Sequence, residues 1–141
     1  MNKDFEKYGY KVIKKAVPEE ICDFGIDYLE IMLDAGNMYY DNGGGNYNTI
    51  EDPHGLECVS YGSYSTFFGE TLLYRLLELM EKESELSLFP SYSYARIYEK
   101  GSKLIKHKDR PSCEISCTVN LGFEDNNWPI WVEDLEGNKK E

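Results

Sequence analysis

A chain of 141 residues is long enough for one domain with its own core and too short for two comfortable ones. At 41% hydrophobic and 29% charged residues it reads as globular, and a formal net charge of -11 excludes a general nucleic-acid binder, since phosphate binding relies on Lys and Arg releasing counterions. No apolar run is long enough to span a bilayer, and the opening Met1-Asn2-Lys3-Asp4-Phe5-Glu6-Lys7 lacks the apolar stretch of a secretory signal, so the expected compartment is the cytoplasm.

In chain order, the β-branched and basic stretch Tyr10–Val17 suits a short edge strand. Pro18 then opens a helix, where its fixed φ and missing N–H cost least. Ile21, Phe24, Tyr28, Leu29, Met32 and Leu33 recur at helical spacing along it, Gly25 interrupts it, and Gly36 is a natural stop. Asn37–Ser65 is Tyr-, Asn- and Gly-rich and reads as a long loop, of the kind that is functional or disordered. A second helix is expected over Gly69–Glu83, with Leu72, Leu73, Leu76, Leu77 and Met80 on one face.

After Pro90 the period changes from 3.6 to 2. In Ser91–Tyr98 one face carries Tyr92, Tyr94, Arg96 and Tyr98, and the other Ser93, Ala95 and Ile97. Glu99–Ser102 supplies a turn, Leu104–Asp109 a second extended segment, and Pro111 a stop. Cys113, Ile115, Cys117, Val119 and Leu121 then alternate with Glu114, Ser116, Thr118 and Asn120, giving one apolar face and one polar face poor in charge, of the kind that lines a wet cavity. Trp128–Glu133 is a last short segment before a charged tail. Helices followed by successive short strands indicate an α+β protein whose sheet resembles a sandwich or barrel.

Cys22, Cys58, Cys113 and Cys117 are irregularly spaced. On a strand, Cys113 and Cys117 stand about 13 Å apart at about 3.3 Å per residue, too far for a disulfide, and both read as small core residues. Lys100–Arg110 holds four Lys and one Arg. It suits either an anionic ligand or a solvated strand edge.

His107-Lys108-Asp109 carries the chemistry. On an extended chain the imidazole and the carboxylate, two positions apart, point to the same side and can reach one metal ion. A hard carboxylate beside a borderline imidazole suits ferrous iron, whose two-His, one-carboxylate face leaves the opposite face open. By itself, His-x-Asp recurs by chance in many chains.

The block Tyr92-Ser93-Tyr94-Ala95-Arg96-Ile97-Tyr98, then Gly101, Leu104, His107–Ser116 and Thr118–Gly122, resembles the 2-oxoglutarate- and Fe(II)-dependent oxygenases, in particular prolyl-hydroxylase-like members and related phage and bacterial proteins. The resemblance covers roughly Pro90–Val132; before that it extends only to architecture. It implies a double-stranded β-helix (jelly-roll, cupin-like) behind supporting helices. The chain is then a single domain over 1–141, with helical support and loop over 1–89 and the first strands of the β-helix over 90–141. It implies Fe(II), 2-oxoglutarate as cosubstrate and ascorbate, and hydroxylation of a small-molecule or peptide substrate. His107 and Asp109 map to the first two iron ligands, and Tyr98, Asn120 and Thr118 to the cosubstrate pocket. Arg96 is either a contact to an acidic substrate or a structural partner of Glu114. The Tyr- and Gly-rich stretch Met38–Tyr64 is a candidate lid.

The family pattern also needs a distal His and, beyond it, a basic residue for the far carboxylate of 2-oxoglutarate. The one other histidine is His54, upstream in the loop. The expectation is therefore an incomplete barrel, arising from a fragment, a split protein that self-associates or pairs with a separate C-terminal half, or a degenerate form. The rival function is a non-catalytic binding or assembly domain on the same scaffold.

Overall fold

The computed structural model describes residues 3–41, 60–102, 104, 106–124 and 128–140. A short helix, α1 (Lys3–Tyr8), leads into irregular chain and then α2 (Glu19–Asp34). Pro18 takes the N-cap position of α2 with extended ψ 144, and its carbonyl accepts from Ile21 and Cys22. Glu19 and Glu20 in the first turn oppose the positive end of the helix dipole. At the other end Gly36, at φ +71, donates to the Leu33 carbonyl while Asn37 donates to that of Met32. This paired, left-handed glycine cap satisfies carbonyls that the helix itself cannot.

α3 (Phe67–Ser84) starts two residues earlier than the apolar pattern suggested. The buried Thr66 explains this: its Oγ1 accepts from the Gly69 N–H at 2.9 Å, capping the helix. Glu85, left-handed at φ 58, ends it.

The two long helices meet at Gly25. A Cβ there would stand 2.4 Å from Phe68 Cζ and 3.2 Å from Leu121 Cδ1, so the glycine that weakens the helical pattern is what admits the Phe68 ring. That ring lies 5.8 Å from Tyr28 and 6.3 Å from Phe24. Leu29 and Met38 are the buried hydrophobics among the described residues, whereas Phe24, Ile31, Phe67, Tyr74 and Phe89 are exposed. The core is therefore thin for the apolar surface the chain carries.

One antiparallel sheet has the order β1 (Tyr39–Asp41), β2 (Ser60–Tyr64), β3 (Tyr94–Tyr98). Its register places Tyr39 opposite Gly62, Gly62 opposite Arg96, and Tyr64 opposite Tyr94. The stretch expected to be one long loop thus supplies two paired strands, because Tyr- and Ser-rich segments fit a pleated surface once a partner lies alongside. A second sheet pairs β4 (Val132–Glu133) with β5 (Lys139–Lys140). Its turn is held by the Asp134 carboxylate, which accepts from the backbone N–H groups of Glu136 (2.9 Å) and Asn138 (2.8 Å). The Leu135 N–H donates to the Tyr8 carbonyl, docking this hairpin on the end of α1.

Three expected strands are absent as ladders. Tyr10–Val17 turns at Lys14-Lys15, with Lys15 at φ 57, and pairs with nothing in a sheet. The described residues of Leu104–Asp109 and the whole of Cys113–Leu121 are likewise unpaired. A strand needs a neighbour for its N–H and C=O groups, and a sequence pattern supplies only the alternation. The alternation itself survives as burial: Cys113, Ile115, Val119 and Leu121 are half-buried, while Glu114, Ser116, Thr118 and Asn120 are exposed. The expected inward-facing Cys117 is exposed, and Cys22, Cys113 and Cys117 are free thiols; Cys58 lies outside the described residues. Among the described residues the architecture is mixed α and β, with two small antiparallel sheets that do not close.

Candidate functional site

The period-2 pattern of β3, combined with the register, puts Tyr94, Arg96 and Tyr98 on one sheet face with Tyr39, Ser60, Gly62 and Tyr64. Arg96 Nη2 donates to the Tyr94 hydroxyl at 3.1 Å and its Nη1 to the Tyr98 hydroxyl at 3.3 Å. Its guanidinium carbon lies 4.9 Å from the Tyr94 ring centroid and 5.5 Å from that of Tyr98. Each such cation–ring contact contributes about 0.5–1 kcal/mol when partly exposed. Tyr94 leans over Gly62, where a Cβ would come within 2.1 Å of its hydroxyl, so the missing side chain makes room for the phenol. Burial, and after it a hydrogen bond with Tyr39, hold the Tyr94 phenol above its ordinary pKa and keep it neutral.

The Tyr64 ring stands 4.5 Å from Tyr94, 5.5 Å from Tyr92 and 6.5 Å from Tyr39. At the far end the Tyr98 ring meets Trp128 edge-on at 4.6 Å. Tyr92 also contacts Cys113, its hydroxyl 3.1 Å from the thiol sulfur. α3 braces this face from behind. Glu70 Oε1 accepts from both the backbone N–H and the hydroxyl of Ser93, and those bonds lower the Glu70 carboxyl pKa.

The His-x-Asp segment is fastened to the same face by the residue that follows it. Arg110 Nη2 donates to the Tyr64 hydroxyl at 2.8 Å. On that segment His107 Nε2 lies 3.7 Å from Asp109 Oδ1, with both side chains open to solvent. Ligands held about 2.1 Å from a first-row divalent ion stand roughly 3.0 Å apart at a right angle and roughly 4.2 Å apart when opposite. The 3.7 Å separation lies between those two values, so the pair would have to close by roughly 0.7 Å to take adjacent corners of an octahedron; its donor types, one nitrogen and one hard oxygen, are those a ferrous site uses. Among the described residues no group of three His, Cys, Asp or Glu converges as a metal site. His54 lies outside the described residues, as does 42–59 of the candidate lid Met38–Tyr64; the remainder of that stretch contains β1 and β2.

The structure thus joins Arg96 and Tyr98 to the sheet face and anchors the segment bearing His107 and Asp109 beside Tyr64. Asn120 and Thr118, assigned to the cosubstrate pocket by resemblance, are exposed on a different, unpaired segment. The alternative partner proposed for Arg96, Glu114, is exposed, and the guanidinium bonds the two tyrosines instead. Sequence reasoning missed Tyr39, Tyr64, Arg110 and Trp128. Arg110 had a usable signal, its place directly after the ligand pair. Tyr64 had none, because Ser60–Tyr64 (SYGSY) does not alternate in hydrophobicity and reads as loop. A groove of about 710 Å³ runs between Lys15–Ile26 and Leu121–Phe123 and includes none of these residues.

Comparison with family models, curated proteins and solved structures finds no match to this chain. No helix among the described residues is long and apolar enough to cross a membrane.

Proposed function

We propose that this chain contributes two ligands, His107 and Asp109, to the ferrous centre of a 2-oxoglutarate-dependent dioxygenase of the jelly-roll type, acting as a hydroxylase. The third ligand comes from outside the described residues, through further chain, a second copy or a separate complementing half. The observation that carries this reading is the convergence of the imidazole and carboxylate at 3.7 Å on a segment anchored to a tyrosine- and arginine-lined sheet face.

With 2-oxoglutarate, the iron would supply oxidative decarboxylation coupled to hydroxylation of a substrate C–H bond. The chain's own residues hold and orient. His107 and Asp109 would hold the cation through an imidazole nitrogen and a carboxylate oxygen, groups that bind a metal only when deprotonated. Tyr98 and Arg96 offer a hydroxyl and a guanidinium on the adjoining face for a carboxylate of the cosubstrate or of an acidic substrate. Asn120 and Thr118 would join them only if the Cys113–Leu121 segment gained a strand partner that turned its polar side inward. Ascorbate would serve only to keep the iron reduced.

Fe(II) uptake under anaerobic conditions, measured by equilibrium dialysis, tests the reading. With the completing half supplied, wild type should bind in the presence of 2-oxoglutarate, and His107→Ala and Asp109→Ala should each weaken binding at least about tenfold, given that even supporting residues behind ligands are worth 10- to 100-fold. Succinate formation by the 141-residue chain alone should be slight. Equal uptake by wild type and the double alanine variant would leave the pair as a surface ion pair. The rival reading is a non-catalytic binding or assembly domain on the same scaffold. Succinate production restored by a complementing chain would remove that option.

A further inference from the structure

We propose that the tyrosine face of the three-stranded sheet is a binding site for a compact planar anion of the nucleoside-monophosphate class, with the ring stacked on Tyr64 and Tyr39 and the anionic group held by Arg110. The rings of Tyr39 and Tyr64 lie 20° from parallel, and both residues are substantially exposed, at 45% and 46%. The two rings stack on one another with centroids 6.5 Å apart, and the exposed outer side of such a pair can take up a flat π-system. At the edge of this surface Arg110 is positioned by its 2.8 Å bond to the Tyr64 hydroxyl. A guanidinium is a planar fork of donors matched to phosphate and carboxylate oxygens. Arg96 adds a second fixed cation two residues along β3 from Tyr94, whose ring packs on Tyr64.

Charge decides the size of the ligand. Between Arg96 and Arg110 there are six Lys or Arg and two acids, within a chain whose net charge is -11. A long polyanion would run from this patch onto strongly acidic surface and be repelled. A small anion gains the local attraction without that cost. The site shares Arg96 with the proposed cosubstrate face but uses neither His107 nor Asp109, so it does not require a metal.

The test is a titration of the full chain with adenosine monophosphate, adenosine and inorganic phosphate in separate arms. It is run with a chelator present and followed by NMR shifts of the tyrosine rings. Adenosine monophosphate should saturate, and the other two should bind at least about tenfold more weakly, because each has only half of the recognition. Tyr64→Leu and Arg110→Gln should each weaken monophosphate binding about tenfold or more, with β2–β3 amide shifts retained as evidence that the sheet is formed. His107→Ala should bind like wild type, so failure here and failure of the metal centre are separately visible. Lack of saturation by adenosine monophosphate at millimolar concentration overturns the proposal. So does equal binding of inorganic phosphate, or binding unaffected by both variants.

Discussion

The helical and sheet region from Glu19 to Tyr98 and the arm from Glu99 onward follow equally clear sequence patterns with opposite results. In the first, each element ends on a specific device: Thr66 caps α3, the Gly36 turn closes α2, and β2 pairs along its whole length with β3. In the second, the strict alternation of Cys113–Leu121 yields one half-buried side and no ladder. Local periodicity is sufficient for a helix, whose hydrogen bonds are internal, and insufficient for a strand, whose bonds belong to a neighbour. The candidate metal ligands lie in the arm, and the Arg110–Tyr64 bond ties their segment to the sheet.

Hydrogen exchange should show the largest contrast. Amides bonded across β2 and β3 should exchange at least about a hundredfold more slowly than those of Ser116–Asn120. Equal protection would mean that the arm has found a strand partner, and a partner that completed the barrel should produce that change. Next in size are core truncations. Leu29→Ala should cost about 2–5 kcal/mol by denaturant midpoint, and Val119→Ala, half-buried in the arm, less than half of that. Similar costs would erase the distinction between the two regions.

Gly62→Ala should destabilise by about 1–3 kcal/mol through overpacking, and should also shift the Tyr94 and Arg96 side-chain resonances, since the new methyl displaces the phenol that holds the guanidinium. Thr66→Ala, which removes the α3 cap, should cost about 1 kcal/mol. The smallest effect is pH-dependent. Ser93 lowers the folded-state pKa of Glu70, so this contribution is complete above the ordinary glutamate range and is lost as pH falls through the lowered folded value. Ser93→Ala should flatten the acid limb of a midpoint-versus-pH curve there, and an unchanged limb would show the bond to be silent.

Much of the first region is visible in the sequence. Pro18 and Gly36 bracket α2 to within a residue or two, and the leucines of α3 mark its body. The alternation of Tyr92–Tyr98 predicts the shared face of Tyr94, Arg96 and Tyr98 that the hydrogen bonds realise. α1, with six residues, is too short to establish a period. β1 and β2 are hidden because Tyr, Ser and Gly do not alternate in hydrophobicity even when they alternate in direction. The pairing of β5 with β4 was equally hidden, since Lys139 and Lys140 read as a solvated tail.

The sequence by itself determined the two long helices to within about two residues, and which side chains of each extended segment share a side, because these follow from bonds and sterics within a few residues. It also placed an imidazole and a carboxylate two positions apart, where an extended backbone brings them together. Only the tertiary structure decided which extended segments became strands, that the Arg96 guanidinium is held by two phenols, and that Arg110 fastens the metal-ligand segment beside Tyr64. The Arg110–Tyr64 bond joins residues 46 positions apart, whereas the Arg96 bonds span two. The cost of the long-range bond and of strand pairing is the entropy of closing the intervening chain, and no short-range pattern records whether that cost is met.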